Sequence, residues 1–171
     1  MYTRILTPID GSPTSKRGLM EAITLAKDQK AKLSLLHVVD ASFLAFDVYG
    51  GGYWGEVTRT LREGGERLIA QSKALAAGQG VEAGNAMVGG VVVESAVVET
   101  MKNERVADRI LNDAREWRAD LIVMGTHGRR GFLHLVLGSD AEAVLHGATI
   151  PVLLIKAEPA ADKEFLTGRQ M

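Results

Sequence analysis

Cysteine is absent from the 171 residues of this chain. Its absence excludes disulfides, thiolate chemistry and zinc sites built from cysteine, and it fits a reducing compartment. The chain also has no large excess of positive or negative charge, because it contains 20 lysines and arginines and 21 aspartates and glutamates. A net charge of −1 creates no global field that would draw the chain onto nucleic acid or an anionic membrane. We therefore expect no nucleic-acid partner and no membrane partner.

Long apolar runs are missing as well. None reaches the ~20 residues that a membrane span needs, and the first residues lack the basic, apolar and small-residue order of a secretion signal. We expect a soluble protein of the cytoplasm. The length suits one domain with a full core, and no internal repeat is visible, so the sequence predicts a single domain over residues 1–157. Residues 158–171 are polar and are expected to form a loose tail.

What is present is an alternation of short apolar runs with helical patterns. Strands are predicted at residues 4–9, 33–39, 91–98, 121–124 and 152–155. Helices are predicted from Pro13 with Ser12 as cap, from about Glu56, along Val106, Ile110, Ala114 and Trp117, and from Ser139 to about His146. Parallel strands need crossovers, and crossovers are right-handed. The pattern therefore predicts an α/β fold, a doubly wound five-stranded parallel sheet in a Rossmann-like α/β/α sandwich.

Three segments between the strands are less regular. The stretch Tyr49–Gly55 belongs to a predicted loop over residues 41–55, because its glycine density argues against a regular element. Gly64 and Gly65 fall inside the second predicted helix. They cost that helix roughly 2 kcal/mol relative to alanine, so tertiary packing must hold it together. Residues 78–90 are a glycine-rich link of extended length.

The residues after the fourth predicted strand combine glycine with positive charge. Three glycines and two arginines occur there: Gly125, Gly128, Arg129, Arg130 and Gly131. A helix is then predicted to begin at Ser139, directly after Gly138. Glycines let backbone N–H groups approach an anion, and the free amides and positive dipole end of a helix attract the same charge. This segment therefore predicts a phosphate-binding site.

The spacing Gly125-x2-Gly128-x9-Gly138-Ser139 resembles the nucleotide-binding signature of the universal stress protein family. Residues 5–12, 36–39 and 144–155 are similar to that family's opening strand and turn, its second strand, and its closing helix and strand, in the right order. The resemblance covers most of residues 1–157. It implies the strand order 3-2-1-4-5, in which the order reverses between strands one and four, and open sheets of this type bind ligands at such a point.

Nucleotide-binding members of that family hold base and ribose with the aspartate after strand one, its neighbouring backbone and a valine of strand two. The matching residues here are Pro8, Asp10 and either Val38 or Val39. Phosphates are held by the glycines and the hydroxyl, which match Gly125, Gly128, Gly138 and Ser139, with Arg129 beside them. The implied ligand is ATP, ADP or AMP, with or without Mg²⁺. The resemblance also implies a stress-response sensor or regulator, and a homodimer through the edge strand Pro151–Ile155.

Asp140 departs from the family pattern, in which the position after the serine is usually small or apolar. Its carboxylate suits the helix dipole but lies close to where terminal phosphates would bind. Together with Glu142, it would repel a triphosphate and favour AMP or ADP, unless a bridging Mg²⁺ makes it a ligand.

Several candidate residues also have simpler explanations. Asp10 could fix its turn through an Asx-type bond, and Ser139 with Glu142 has the form of a capping box. His127 is interpreted as a polar loop residue and His37 as a satisfied core or edge residue. We predict no catalytic residue and no metal site made by protein alone. The alternative function is a nucleotide-independent family member that works through protein–protein contacts, with the aromatic, glycine-rich loop as a partner surface.

Overall fold

The computed structural model describes residues 1–40, 54–78, 93–100, 104–126 and 137–156. Strands and helices alternate along these residues. Their bounds are β1 (Arg4–Pro8), α1 (Pro13–Gln29), β2 (Lys32–Val39), α2 (Trp54–Gly78), β3 (Val93–Glu99), α3 (Val106–Glu116), β4 (Leu121–Gly125), α4 (Ser139–Gly147) and β5 (Val152–Ile155). Among the described helices, none combines the length and the apolar character that a membrane crossing requires.

The five strands form one sheet in the order β3-β2-β1-β4-β5, and every neighbouring pair is parallel. The predicted fold class and strand order are therefore confirmed. The central strand β1 pairs with β4, where Ile5 lies opposite Leu121 and Leu6 opposite Ile122. Because the order reverses between these strands, their carboxyl ends border the crevice in which such sheets bind ligands.

Two apolar layers cover the sheet, since neighbouring residues of a strand face opposite sides. Ile5 packs in a cluster with residues of α1 and α2, whereas Leu6 packs in a cluster with residues of α3 and α4. Both side chains are fully buried. A parallel sheet covered on both faces explains why its strands are continuous apolar runs instead of alternating ones.

The start of α1 agrees with the sequence prediction. The hydroxyl of Ser12 accepts a hydrogen bond from the Ser15 amide at 3.2 Å, and Pro13 occupies the first turn, where its missing N–H costs nothing. Lys30 ends the helix in the left-handed conformation with φ 55°. The cap at Ser12 and the left-handed Lys30 therefore set the start and the end of α1 between β1 and β2.

The second helix begins earlier than predicted. It starts at Trp54, so the last two residues of the predicted loop, Trp54 and Gly55, belong to α2. The helix also continues through Gly64 and Gly65, and the contacts of Gly65 with the sheet, described below, account for this. Gly78, the first residue of the predicted link, belongs to α2, and the rest of that link, the remainder of the predicted loop and the predicted tail at 158–171 lie outside the described residues.

Asp120 connects the amino ends of β1 and β4. Its carboxylate accepts hydrogen bonds from the Thr3 amide at 2.7 Å, the Thr3 hydroxyl at 2.6 Å and the Arg4 amide at 2.9 Å. Burial opposes its ionisation, but these hydrogen bonds outweigh burial and hold the pKa of Asp120 below its ordinary value. The guanidinium of Arg4 lies 4.2 Å from the ring centre of Trp117, the residue that caps the end of α3. The contacts at the amino ends of these strands therefore have a structural role.

Candidate functional site

At the opposite end of the sheet, the peptide that joins Ile9 to Asp10 is held on both sides. The Ile9 carbonyl accepts a hydrogen bond from His37 Nδ1 at 2.7 Å. The Asp10 amide donates to the Ser15 hydroxyl at 3.1 Å. One step earlier, the Ile9 amide donates to the Leu36 carbonyl at 2.8 Å. The chain therefore leaves β1 along a path fixed by β2 and by the first turn of α1.

Asp10 itself shapes the turn that follows. Its Oδ1 accepts a hydrogen bond from the Ser12 amide at 2.9 Å, which is the Asx-type bond considered from sequence. Gly11 lies between them with φ 83°, a conformation that strongly favours glycine. The simpler explanation of Asp10 is thus confirmed. The half-buried carboxylate still lies at the carboxyl end of β1, where the ligand crevice is expected.

Gly125, at the end of β4, touches the first turn of α1. A Cβ at this position would lie 2.8 Å from the Thr14 carbonyl carbon and 2.9 Å from the Ser15 amide nitrogen. From the other side, a Cβ on Gly18 would lie 3.4 Å from the Gly125 amide nitrogen. Close packing therefore demands glycine at 125, independently of any phosphate.

The amino end of α4 also lies at the carboxyl end of the sheet. The Gly138 amide donates to the Thr126 carbonyl at 2.8 Å, and the Thr126 amide donates to the Ile155 carbonyl at 2.9 Å. These two bonds place the amino end of α4 beside the carboxyl ends of β4 and β5. The backbone amides of the first turn of α4 and the positive end of its dipole are therefore presented at the candidate site.

The capping box proposed for Ser139 and Glu142 is wrong. Gly138 is the N-cap residue, and the described start of α4 carries no side-chain cap hydrogen bond. The Gly138 carbonyl accepts the first hydrogen bond of the helix, from the Glu142 amide at 2.9 Å, so Ser139 lies in the first helical position. The exposed Ser139 hydroxyl is therefore not used as a cap and lies where it could donate to an anion.

Asp140 is exposed in the first turn of α4. The hydrogen-bonded ion pair with Asp108 raises the pKa of Arg105, and the charge of Asp140 adds a smaller contribution in the same direction. That ion pair joins Arg105 to the first turn of α3 at 2.8 Å. The amino ends of α3 and α4 therefore carry both signs of charge.

The remaining candidate residues divide between described and undescribed parts of the chain. Pro8 is half-buried at the end of β1. Val38 packs in the cluster on the α3 and α4 side, whereas its neighbour Val39 is buried and faces the other side of the sheet. Gly128, Arg129 and His127 lie outside the described residues. Among the described residues, no group of three His, Cys, Asp or Glu side chains could hold a metal ion.

Three features of the site were not predicted from sequence: the bond between His37 and Ile9, the role of Ser15 and the role of Gly65. His37 was expected to be a satisfied core or edge residue, and it is buried with its Nδ1 bonded, but the sequence did not indicate Ile9 as its partner. The hydroxyl of Ser15 and the glycine at 65 were not singled out for any role at the site. Only the small, polar sequence of the α1 start could have pointed to Ser15.

Comparison with known proteins identifies the family. The family model described as the universal stress protein family matches residues 1–156, and the chain belongs to this family. It is 34% identical to a universal stress protein of Methanocaldococcus jannaschii over 157 residues, covering 91% of this chain and 83% of the relative. It is also 34% identical to the universal stress protein YxiE of Bacillus subtilis, covering 91% of this chain and 100% of the relative.

Solved structures agree with the fold. A protein of the universal stress protein family from Burkholderia pseudomallei is 35% identical, with a TM-score of 0.69 over 91% of this chain and 97% of that one. A universal stress protein in complex with cAMP has a TM-score of 0.60 at 19% identity, over 90% of this chain and 96% of that one. The Archaeoglobus fulgidus protein in complex with dAMP has a TM-score of 0.58 at 20% identity, over 91% and 98%.

Proposed function

We propose that this protein binds an adenine nucleotide in the crevice between β1 and β4 and acts as a stress-response sensor or regulator in the cytoplasm. The observation that carries the proposal is the start of α4, where Gly138 closes onto Thr126 and the Ser139 hydroxyl is not used as a helix cap. The amides of this turn therefore face the end of the sheet where ligands of such folds bind. The cAMP and dAMP complexes of two structural neighbours add support.

Each part of a nucleotide has a candidate partner. The Asp10 carboxylate is the candidate acceptor for ribose hydroxyls, because an ionised carboxylate accepts hydrogen bonds on both of its oxygens and Asp10 directly follows Ile9 just beyond the end of β1. Pro8 and Val38, which are both partly exposed, offer apolar surface to a base, whereas the other candidate valine, Val39, is buried. Phosphate oxygens would accept from the backbone amides of the first turn of α4, which begins directly after Gly138, and from the Ser139 hydroxyl, with Gly128 and Arg129 as further candidates.

Asp140 bears on how many phosphates the site accepts. Its exposed carboxylate lies one residue after the proposed phosphate-binding hydroxyl. Without a cation, it should disfavour the terminal phosphates of ATP more than the single phosphate of AMP. The same oxygen atoms are suitable ligands for Mg²⁺ bound to a di- or triphosphate. We propose no catalytic residue.

A homodimer belongs to the same proposal. The strand β5 lies at one edge of the sheet, and its four residues are only half-buried. Unpaired backbone groups on an edge strand favour pairing with a second strand. Two copies of this chain could therefore pair through residues 151–155.

A thermal melt of the purified protein with Mg-ATP, ADP and AMP tests the nucleotide proposal. Ligand at a hundred times its Kd should stabilise the native state by ~2.7 kcal/mol, or roughly 5–10 °C. Gly138→Val should lose the shift, because its side chain would cover the amides of the turn. Gly138 has φ −66° and ψ 147°, so the backbone accepts a larger residue without strain. If no nucleotide shifts the wild-type melt, the alternative of a nucleotide-independent protein-contact function is favoured.

A further inference from the structure

One buried histidine connects three elements at the proposed site. His37 lies on β2, its Nδ1 bonds the Ile9 carbonyl just beyond β1, and its ring edge faces Gly65 of α2. It is 8% exposed, so this bond is almost entirely shielded from water. A carbonyl oxygen only accepts hydrogen bonds, which means that Nδ1 carries the hydrogen and donates it.

The bond fixes one peptide plane. The carbonyl of this peptide belongs to Ile9 and its N–H to Asp10, and the N–H donates to the Ser15 hydroxyl at 3.1 Å. Ser15 is buried as well, with 5% of its surface exposed. Two shielded side chains, one from β2 and one from α1, therefore hold the two ends of the same peptide. Its plane sets the direction in which the Asp10 side chain leaves the backbone.

Helix α2 supplies the space that the histidine occupies. A Cβ on Gly65 would overlap His37 Cδ2 and would lie 3.1 Å from both His37 Nε2 and Val97 Cγ1. A Cβ on the adjacent Gly64 would meet no atom within 4 Å. Both glycines weaken this helix, but the His37 ring excludes a side chain only at Gly65. Glycine at 65 lowers the stability of the helix, and this loss is offset by the room it leaves for the buried His37 ring.

A leucine would fill this space with apolar atoms, so burial alone does not demand histidine. The feature that only the histidine supplies is an N–H aimed at the Ile9 carbonyl. We infer that His37 is a positioning residue of the proposed nucleotide site, which holds the Ile9–Asp10 peptide so that the Asp10 carboxylate is preset for the ligand. The nucleotide part of this inference rests on the proposed function.

Two substitutions at His37 separate the hydrogen bond from the packing. His37→Leu removes the N–H but still fills the space with apolar atoms. His37→Asn retains a donor, because the side-chain nitrogen of asparagine, like Nδ1 of histidine, is bonded to Cγ. The loss of one hydrogen bond should weaken AMP binding in His37→Leu about three- to tenfold, measured by calorimetry. His37→Asn should recover most of that affinity. Equal affinities in wild type and His37→Leu would overturn the nucleotide part of the inference.

The neighbouring glycines provide a matched pair on α2. Gly65→Ala should displace the ring and reduce AMP affinity by a similar factor. Gly64→Ala should leave affinity unchanged, because its methyl group enters open space. If both variants bind AMP as the wild type does, the ring does not need its present position, and the inference fails.

Hydrogen exchange tests the positioning without any nucleotide. The Asp10 amide should exchange at least about threefold faster in His37→Leu, relative to the Ile122 amide, which bonds Pro151 at the other end of the sheet. An unchanged ratio of the two rates would overturn the positioning role. If the wild-type protein binds no nucleotide but this ratio changes, the proposed function fails while the role of His37 at the turn stands.

Discussion

Gly125 and Thr14 lie so close together that a side chain at 125 has no room. The nearest atoms to a methyl group added at this position would be the Thr14 carbonyl carbon and side-chain oxygen, each at 2.8 Å. One of them is backbone in a helix that is anchored at Ser12, so it cannot move aside cheaply. Gly125, the first glycine of the predicted phosphate-binding spacing, is therefore first a packing residue between β4 and α1.

Gly125→Ala should for this reason destabilise the apo protein. Overpacking of this kind costs about 1–3 kcal/mol, which at this chain length lowers the melting temperature by roughly 2–4 °C per kcal/mol. Differential scanning calorimetry without ligand measures the effect. Gly55→Ala is the control, since a Cβ there meets nothing within 4 Å, and its melting temperature should not fall. An unchanged melt of Gly125→Ala would show that the contact relaxes freely.

The fold could be predicted from sequence because its physical causes are local. Short apolar runs separated by helical patterns specify a parallel sheet, and Ser12 with Pro13 specifies the start of α1. The strand order came from family resemblance, because no local pattern says which strands become neighbours.

The details of the site were less predictable, since they depend on contacts between distant residues. His37 and Ile9 are 28 residues apart, and nothing near either residue encodes their bond. Gly65 looked like a helix-weakening residue until its distance from His37 was known. The position of Gly138 depends on a hydrogen bond to Thr126, which directly follows β4. In each case tertiary contacts, and not local propensity, decided the role.

Asp120 should make stability depend on pH in the acid range. Its folded-state pKa is lowered, so its contribution is complete above the unfolded value of about 3.9 and is lost as pH falls through the folded-state pKa. Asp120→Asn should therefore cost about 1–2 kcal/mol at pH 7, and the difference from wild type should shrink in acid. Urea unfolding at pH 7 and at successively lower pH values measures it.

Asp113 is a control with the opposite sign. Burial raises the pKa of Asp113, although the nearby Arg109 opposes the shift. The folded state then binds the proton more readily than the unfolded state, so the contribution of Asp113 becomes less favourable as pH rises through this range. Compared with Asp113→Asn, the wild type should gain stability as pH falls. The same pH trend for both aspartates would contradict these assignments.

Asp140→Asn should change which nucleotide the protein prefers. Removing one charge near the terminal phosphates is worth about 1 kcal/mol at 4 Å in water, or roughly fivefold in affinity. In EDTA, the ratio of ATP affinity to AMP affinity should therefore rise about fivefold in the variant. Glu142→Gln, which removes an exposed charge two residues later, should raise the ratio less. A ratio that stays constant in Asp140→Asn would place the terminal phosphates away from this helix.

Leu153 occupies the centre of the edge strand and is half-buried in the isolated chain. If two copies pair through β5, a lysine at this position brings two charges toward one interface, which is costly without partners. Light scattering should then show a dimer for the wild type and a monomer for Leu153→Lys. Leu61→Lys, at a residue that is 39% exposed on α2, should leave the dimer mass unchanged. A cooperative melt of Leu153→Lys would show that the chain still folds, and a dimer mass in that folded variant would refute pairing through this edge.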